Sequence, residues 1–230
     1  MLIIIEGNIG VGKSTLSNKL AEEYNFKLFE EGADTNKEFV EYLNLYYKDP
    51  KRYALEMQFW LMSTRFRQHQ EALNHIHKTG QTCIMDRSIY GDTVFAKRNF
   101  LDGNISKLGY DSYLKHRDVM LQFLMVPQLT LYLDATPETC LERINMRNRT
   151  SENGIPLEYL KGIDSLYNEL LVELEDKGSH VKRIDWSQFR GVDHLKTVVD
   201  DYVADFRWNG FGSQQIIKSK VDSSTTSLLN

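Results

Sequence analysis

Residues 2–15 read LIIIEGNIGVGKST, and this stretch decides the fold. Residues 2–5 are a short apolar, mostly β-branched run, which predicts a strand buried on both faces, as in a parallel sheet. Residues 7–14 match G-x-x-x-x-G-K-[ST], and apolar side chains then recur at helical spacing up to Tyr24. A glycine-rich loop between a buried strand and a helix predicts phosphate binding, because its backbone N–H groups can point inward and the helix dipole favours anions.

Two side chains of this loop have expected roles toward a nucleoside triphosphate. Lys13 should reach the β- and γ-phosphates, and the Ser14 hydroxyl should ligate Mg²⁺. Switch GTPases also need an Asp-x-x-Gly turn and an Asn-Lys-x-Asp guanine reader, and neither string occurs in the chain. The switch class is therefore disfavoured. The predicted phosphate-binding residues are Gly7, Asn8, Ile9, Gly10, Val11, Gly12, Lys13, Ser14 and Thr15.

Strand and helix patterns alternate along the rest of the chain, which predicts a parallel sheet sandwiched by helices. A length of 230 residues suits one compact domain, expected over 1–212, with a charged, glycine-containing lid at about 148–155. The Ser-, Thr-, Gln- and Lys-rich stretch 213–230 is expected to be a mobile tail. Further strands are predicted at 26–29, 82–85, 129–133 and 181–184, and helices at 37–47, 51–78, 91–100, 112–125, 137–147, 157–176 and 192–206.

Composition excludes several classes of partner. A formal net charge of −4 argues against a nucleic-acid-coating surface or a polybasic membrane anchor. No run approaches the length of about 18–20 apolar residues that a membrane span requires. Because no charged or arginine-rich leader precedes the first strand, we expect a cytoplasmic protein. Cys83 and Cys140 lie in apolar segments, which favours reduced core thiols.

Charged residues follow two predicted strands where each strand ends, at the edge where open α/β sheets bind ligands. Glu30-Glu31 follows residues 26–29, and Asp86-Arg87-Ser88 follows residues 82–85. A carboxylate there can accept the proton of an attacking hydroxyl, with Glu31 the first candidate and Glu30 the fallback. Arg87 can balance charge on a phosphoryl group, and Asp86 can help hold magnesium. The alternatives are solvated strand-end charges and a structural ion pair.

An arginine cluster follows the fourth strand. Arg143 and Arg147 are four residues apart and share a helix face, and Arg149 lies in the following loop. Such a face can be solvated or paired with acids such as Glu142. We favour a lid that closes over the triphosphate and excludes water.

Together these motifs resemble the deoxynucleoside kinase family, and the resemblance covers the chain up to about residue 208. Glu31 stands where that family places its general base, although the family's Glu-Pro-Val is here Glu31-Gly32-Ala33. Asp86-Arg87-Ser88, followed by Asp92, is similar to the family's [Asp/Glu]-Arg-Ser segment and downstream aspartate. The resemblance implies a P-loop kinase fold with five parallel strands and an arginine-rich lid. It implies Glu31, Arg87 and Lys13 as the catalytic residues.

The resemblance also implies a nucleoside site. Gln58 would meet the base edge, with Arg65 and Asp92 as a second base-contacting pair, and Phe95 would pack on the base. Tyr47 and Glu152 would hold the sugar 3′-hydroxyl, the glutamate arriving from the lid. The implied nucleoside-binding residues are Glu31, Tyr47, Gln58, Arg65, Arg87, Asp92, Phe95 and Glu152.

The implied reaction moves the γ-phosphate of Mg-ATP to the 5′-hydroxyl of a deoxynucleoside. Residues 86–90 and 46–50 look more like purine-preferring bacterial-type members, so we expect deoxyadenosine, with deoxyguanosine and deoxycytidine as alternatives. A thymidylate-type monophosphate kinase shares the phosphate loop, but Glu30-Glu31 would repel a dianionic acceptor. A regulatory nucleotide-binding protein would not need Glu31 and Arg87. Surplus apolar residues in helices 37–78 and 107–125, and the family, suggest a homodimer.

Overall fold

The computed structural model describes residues 1–32, 36–147, 154–188 and 193–209, and contains a parallel sheet of five strands. The strand order is β2-β3-β1-β4-β5, and each neighbouring pair is parallel. The predicted five-stranded parallel sheet is therefore confirmed. The strands are β1 (Leu2–Gly7), β2 (Lys27–Phe29), β3 (Cys83–Asp86), β4 (Leu129–Asp134) and β5 (His180–Asp185).

β1 occupies the centre of the sheet, which explains its uninterrupted apolar run. All six of its residues are buried, between β3 on one side and β4 on the other. In the register Ile5 pairs with Asp86, and Phe29 of β2 pairs with Met85. The three strands therefore end level with one another. Residues that follow them, including the phosphate loop, emerge side by side at the carboxyl edge.

Helices lie between the strands, and most begin and end close to their predicted limits. Residues 137–147 and 157–176 form helices with the predicted bounds. The helices in the described residues are α1 (Lys13–Tyr24), α2 (Lys37–Lys48), α3 (Pro50–Thr79), α4 (Ile89–Leu101), α5 (Lys107–Leu121), α6 (Pro137–Arg147), α7 (Leu157–Asp176) and α8 (Asp193–Asn209).

Helix α5 differs from the prediction of 112–125. It begins at Lys107 because the Ser106 hydroxyl caps it, accepting a hydrogen bond from the Gly109 N–H at 3.1 Å. A glycine in the first turn weakened the sequence signal for this start. The helix ends at Leu121, after which the Phe123 and Leu124 N–H groups bond the carbonyls three residues earlier. Such i→i+3 bonds tighten the chain and end the α-helix.

Buried apolar side chains form two clusters. The larger packs the sheet against α3, α4, α5 and α7, and the smaller joins α2 to α3. The second cluster holds α2 in front of the carboxyl edge, where it forms one wall of a cavity. Cys83 and Cys140 are buried and free, as predicted.

The chain divides into two compact units, Met1–Val192 and Asp193–Asn230. In the second unit the structure describes α8. Residues 148–153 of the predicted lid and the predicted tail 213–230 lie outside the described residues, so lid, tail and the single domain over 1–212 stay predictions. None of the helices described here is long and apolar enough to cross a membrane.

Candidate active site

A cavity opens at the carboxyl edge of the sheet and gathers most of the predicted site residues. Its volume is about 940 Å³, counting the open mouth. The phosphate loop forms one side, and α2, α3, α4 and the start of α7 form the others. A cleft that mixes apolar walls with a few polar groups suits a small-molecule substrate. Predicted residues in its lining are Ile9, Gly10, Gly12, Lys13, Ser14, Thr15, Glu31, Tyr47, Gln58, Arg87, Asp92, Phe95 and Arg147.

The phosphate loop has a backbone that its glycines alone permit. Gly10 has φ +77°, and a Cβ there would lie 2.7 Å from the carbonyl oxygen of Cys140. Within the loop the Lys13 ammonium donates to the carbonyls of Gly7 at 3.2 Å and Asn8 at 2.8 Å. Burial, and then the neighbouring Arg87, lower the pKa of Lys13 to about 8. An anion bound in the loop would give this buried ammonium a counter-charge.

Ser14 and Asp86 meet beside the loop and form a candidate magnesium site. The Ser14 hydroxyl donates to Asp86 Oδ2 at 2.5 Å, while Asp86 Oδ1 is buried with no hydrogen-bond partner among the described residues. Burial, and then Glu31, raise the pKa of Asp86. A hydroxyl and a carboxylate are the hard oxygen donors that Mg²⁺ prefers, and phosphates and water usually complete its shell. The two side chains therefore fit the metal.

Glu31 joins two buried arginines at the cavity wall. Its Oε1 lies 3.0 Å from Arg65 Nη2 and 3.0 Å from Arg87 Nε. Arg65 also lies beside Asp92, with 3.5 Å between Nε and Oδ2. Burial raises the pKa of Asp92 to about 6, against the opposing effect of Arg65. The structure thus brings four predicted residues into one chain of alternating charge.

Exposure separates Glu31 from its neighbours. The Glu31 side chain is 19% exposed, whereas those of Arg65 and Asp92 are 1% and 2% exposed. Its carboxylate is therefore fixed by charge yet open to the cavity. Glu30 is exposed and absent from the cavity lining, and its backbone carbonyl accepts a hydrogen bond from Gln68. The geometry favours Glu31 over Glu30 as a proton acceptor.

The cavity lining also offers groups that could contact a nucleobase. Gln58 is buried, and its Oε1 has no hydrogen-bond partner in the part of the chain that the structure describes. Phe95 lines the same space and carries the Arg87 guanidinium 4.7 Å from its ring centroid. Tyr47 also lines the cavity, whereas Glu152 lies outside the described residues.

Three polar lining residues were missed by sequence reasoning. The Tyr46 hydroxyl donates to Asn99 Oδ1 at 3.0 Å, and Tyr159 lines the cavity from the first turn of α7. The sequence signal of the two tyrosines is weak because aromatic residues in amphipathic helices are typical of the core. Phe39, Leu43, Met57 and Leu61 add the apolar part of the same walls.

The arginine cluster is split by the structure. Arg143 is buried in α6, and its guanidinium donates to the carbonyls of Val11 at 2.9 Å, Trp186 at 2.9 Å and Ser187 at 3.1 Å. It therefore braces the phosphate loop from behind, which corrects its predicted place on a lid face. Arg147 does line the cavity, and Arg149 lies outside the described residues.

The parallel sheet, the glycine loop and the cavity beside it, which Glu31 and Arg87 line together, define a protein of the P-loop kinase class. Within that class the chain belongs to the deoxynucleoside kinase family, whose model matches residues 3–206. The chain is 43% identical to deoxyguanosine kinase of Dictyostelium discoideum over 188 residues, which are 82% of this chain and 65% of that relative. The chain thus spans about two thirds of that relative's length.

Two further comparisons agree. Deoxyadenosine kinase of Dictyostelium discoideum is 35% identical over 197 residues, 86% of this chain and 77% of the relative. The solved structure of deoxyadenosine kinase from M. mycoides, with the products dCMP and a flexible dCDP bound, superposes with a TM-score of 0.75. That superposition covers 90% of this chain and 100% of the other, at 25% identity. The resemblance predicted from the motifs is confirmed.

Proposed function

We propose that the chain transfers the γ-phosphate of ATP to the 5′-hydroxyl of a deoxynucleoside. The observation that carries this proposal is the Glu31 carboxylate, held by two guanidiniums at 3.0 Å each and open to the cavity that the phosphate loop borders. A carboxylate in that place suits a neutral hydroxyl acceptor. It would repel the dianionic acceptor of a monophosphate kinase.

In the proposed reaction Glu31 orients the 5′-hydroxyl and takes its proton as the oxygen attacks the γ-phosphorus. A new O–P bond forms, and the bond from the γ-phosphorus to the β–γ bridging oxygen breaks. Lys13 would exchange the carbonyls of Gly7 and Asn8 for phosphate oxygens. Arg87 contacts both Glu31 and Gly7. Its positive charge therefore lies between the attacking hydroxyl and the phosphate loop, where it can stabilise the phosphoryl group during transfer. The lid arginines and Glu152 would complete the closed site.

Magnesium is part of this proposal, with Ser14 and Asp86 as the residues that would hold it. When bound, the ion would neutralise charge on the β- and γ-phosphate oxygens. The Ser14 hydroxyl now donates to Asp86, so binding would need that hydrogen bond to open. The hydroxyl could then present a lone pair, while the Asp86 carboxylate remains beside it.

Among deoxynucleosides we propose deoxyadenosine as the preferred acceptor, with deoxyguanosine and deoxycytidine next. The Gln58 amide can donate and accept at once, and Asp92, which Arg65 holds at the wall, adds a further acceptor to the cavity lining. Purine acceptors also agree with the names of the two Dictyostelium relatives.

ATP consumption measured separately with the four deoxynucleosides, adenosine and dTMP tests this function. We expect kcat/KM for deoxyadenosine to exceed that for dTMP by at least about 10²-fold, since a mismatched charge in a buried site costs several kcal/mol. A preference for dTMP would mean a monophosphate kinase. Nucleotide binding without turnover on any acceptor would favour a regulatory nucleotide-binding protein. Deoxyguanosine as the best acceptor would change the base assignment alone.

A homodimer in the cytoplasm completes the proposal. Large apolar side chains are exposed on α5 and just beyond it, among them Leu108 at 81% and Phe123 at 68%, and a subunit contact would remove them from water. Light scattering at micromolar concentration should therefore give twice the chain mass of 26.8 kDa. A monomer mass under those conditions would contradict it. Two buried free cysteines agree with a reducing compartment.

A further inference from the structure

One fully buried carboxylate, that of Glu6, takes no part in the proposed reaction. Glu6 is the last residue of β1 before the glycine loop begins, and its side chain is 0% exposed. Burying a carboxylate costs several kcal/mol unless partners compensate it. Two hydroxyls supply them: Ser88 Oγ donates to Glu6 Oε1 at 2.6 Å, and Tyr167 OH donates to Oε2 at 3.3 Å.

Tyr167 connects this carboxylate to Arg87. Its hydroxyl accepts a hydrogen bond from Arg87 Nη1 at 2.6 Å, and the same nitrogen donates to the Gly7 carbonyl at 3.2 Å. Arg87 and Ser88 are adjacent, so the contacts close a ring from Arg87 through Tyr167 and Glu6 to Ser88. All four side chains are buried. The ring holds one edge of the guanidinium, while Nε on the other side faces Glu31.

The backbone of Arg87 needs such support. Its φ is +67°, which lies in the left-handed region that a non-glycine residue adopts only with backbone strain. A guanidinium contacting Gly7, Tyr167, Glu31 and the face of Phe95 over-determines that conformation. The contacts that position the Arg87 side chain therefore also stabilise its strained backbone conformation.

Glu6 also sets the position of α4. A Cβ on Gly91, in the first turn of that helix, would lie 2.4 Å from both carboxylate oxygens of Glu6. The helix backbone thus rests directly on the carboxylate. The same helix contributes Asp92 and Phe95 to the cavity lining, so one buried group supports residues on both the phosphate and the nucleoside side.

The charges of the ring are consistent with this arrangement. Burial raises the pKa of Glu6 to about 7, and Arg87 opposes that rise most strongly. Burial alone would lower the pKa of Arg87, but Tyr167, Glu31 and Glu6 together raise it. Burial raises the pKa of Tyr167 well above its usual value, so its hydroxyl keeps the proton that it donates to Glu6.

We infer that Glu6 and Tyr167 are positioning residues that fix the guanidinium of Arg87 between Gly7 and Glu31, for the phosphoryl transfer proposed above. Neither residue is part of the cavity lining, whereas Arg87 is, so they act through Arg87. The inference rests on the proposed function for its kinetic consequence. Its geometric part can be tested without turnover.

Tyr167→Phe is the sharpest test, because it removes only the hydroxyl. The aromatic ring at position 167 can stay packed against Tyr132, with ring centroids 5.3 Å apart. We expect kcat to fall between about 10-fold and 10²-fold, with KM for the deoxynucleoside changed less than about threefold. Glu6→Gln leaves the hydroxyl of either Ser88 or Tyr167 without its acceptor. We expect this variant to lower kcat by a factor in the same range. Tyr132→Phe is the matched control: that buried tyrosine donates to Asp164 instead, and its kcat should stay within about twofold.

A second background separates positioning from general structure. Lysine lacks the several N–H groups of the Arg87 guanidinium, so it cannot contact Tyr167 and Glu31 at the same time. In an Arg87→Lys enzyme the Tyr167 hydroxyl therefore has no guanidinium to position, and adding Tyr167→Phe should lower kcat by less than about twofold. An equal cost in both backgrounds, or a single Tyr167→Phe variant within about twofold of the parent, would overturn the inference.

Thermal unfolding of the same four proteins provides a readout that does not depend on activity. We expect the shift in Tm of the double variant to be smaller than the sum of the two single shifts, because both changes break the same contact. Additive shifts would overturn the geometric part. If the parent enzyme phosphorylates no nucleoside, the proposed function fails, and this cycle still decides whether Tyr167 acts through Arg87.

Discussion

Glu31→Gln is expected to lower kcat by about 10²–10⁴-fold, the range that a positioned general base contributes. Glutamine has nearly the same size, and its carbonyl oxygen can still accept a hydrogen bond from Arg65 or Arg87, but its amide cannot take a proton. The proton acceptor acts mainly in the transition state, so the Kd for the deoxynucleoside should change less than about threefold. Single-turnover rates at saturating ATP, with calorimetric binding of the nucleoside, measure the two effects separately.

The neighbouring Glu30→Gln variant is the control for this experiment. Glu30 carries the same charge one residue earlier but is exposed and outside the cavity lining, so its kcat should stay within about twofold. Arg65 and Arg87 lose a charged partner in Glu31→Gln, and a thermal melt must show that the variant is folded at the assay temperature. Undiminished turnover in folded Glu31→Gln would refute the assignment of the base.

The largest effect on stability is expected for Arg65→Met, which should reduce the free energy of unfolding by about 3–5 kcal/mol. The Arg65 side chain is 1% exposed and lies between Glu31 and Asp92. Methionine fills much of the same space, so the cost comes from charge. The Asp92 carboxylate, 2% exposed, would be left without the cation beside it. Urea unfolding at pH 7.5, fitted with a common m-value, measures the loss.

Two variants isolate the electrostatic cause. Arg67→Met changes an exposed arginine on the same helix, whose pair with Glu71 is 3.9 Å long, and should cost less than about 1 kcal/mol. Adding Asp92→Asn to Arg65→Met removes the uncompensated carboxylate and should restore at least about 1 kcal/mol. An Arg65→Met loss below about 1 kcal/mol, or no recovery in the double variant, would mean that the pair does not carry the stability assigned to it.

Much of the fold follows from local patterns. The buried run of β1 and the spacing of Gly7, Gly12 and Lys13 predict strand, loop and helix without knowledge of distant residues. Helices α6 and α7 have their predicted bounds because apolar periodicity is local. Helix α5 was misplaced because its start depends on one capping hydroxyl, Ser106, next to a glycine.

Part of the site also follows from the sequence. Parallel strands end at one edge, so Glu31, Asp86 and Arg87 could be expected together from their places after two strands. Resemblance to the family added Gln58, Arg65, Asp92 and Phe95. The roles of these residues stay predictions until they are assayed, but the structure brings all of them to one cavity or to its wall.

The sequence by itself determined the sheet, the phosphate loop and the edge where charge collects, because each rests on periodicity or spacing within a few residues. Only the tertiary structure decided which charges are paired. Glu6 meets Tyr167 across 161 residues, and Arg143 meets Val11 across 132. The pattern around Glu6 is that of a strand end, and the pattern around Arg143 is that of a basic helix face. Burial by distant segments makes Glu6 a support for Arg87 and makes Arg143 a brace for the phosphate loop. A buried charge is stable only beside charged or hydrogen-bonding partners, and the whole fold provides them.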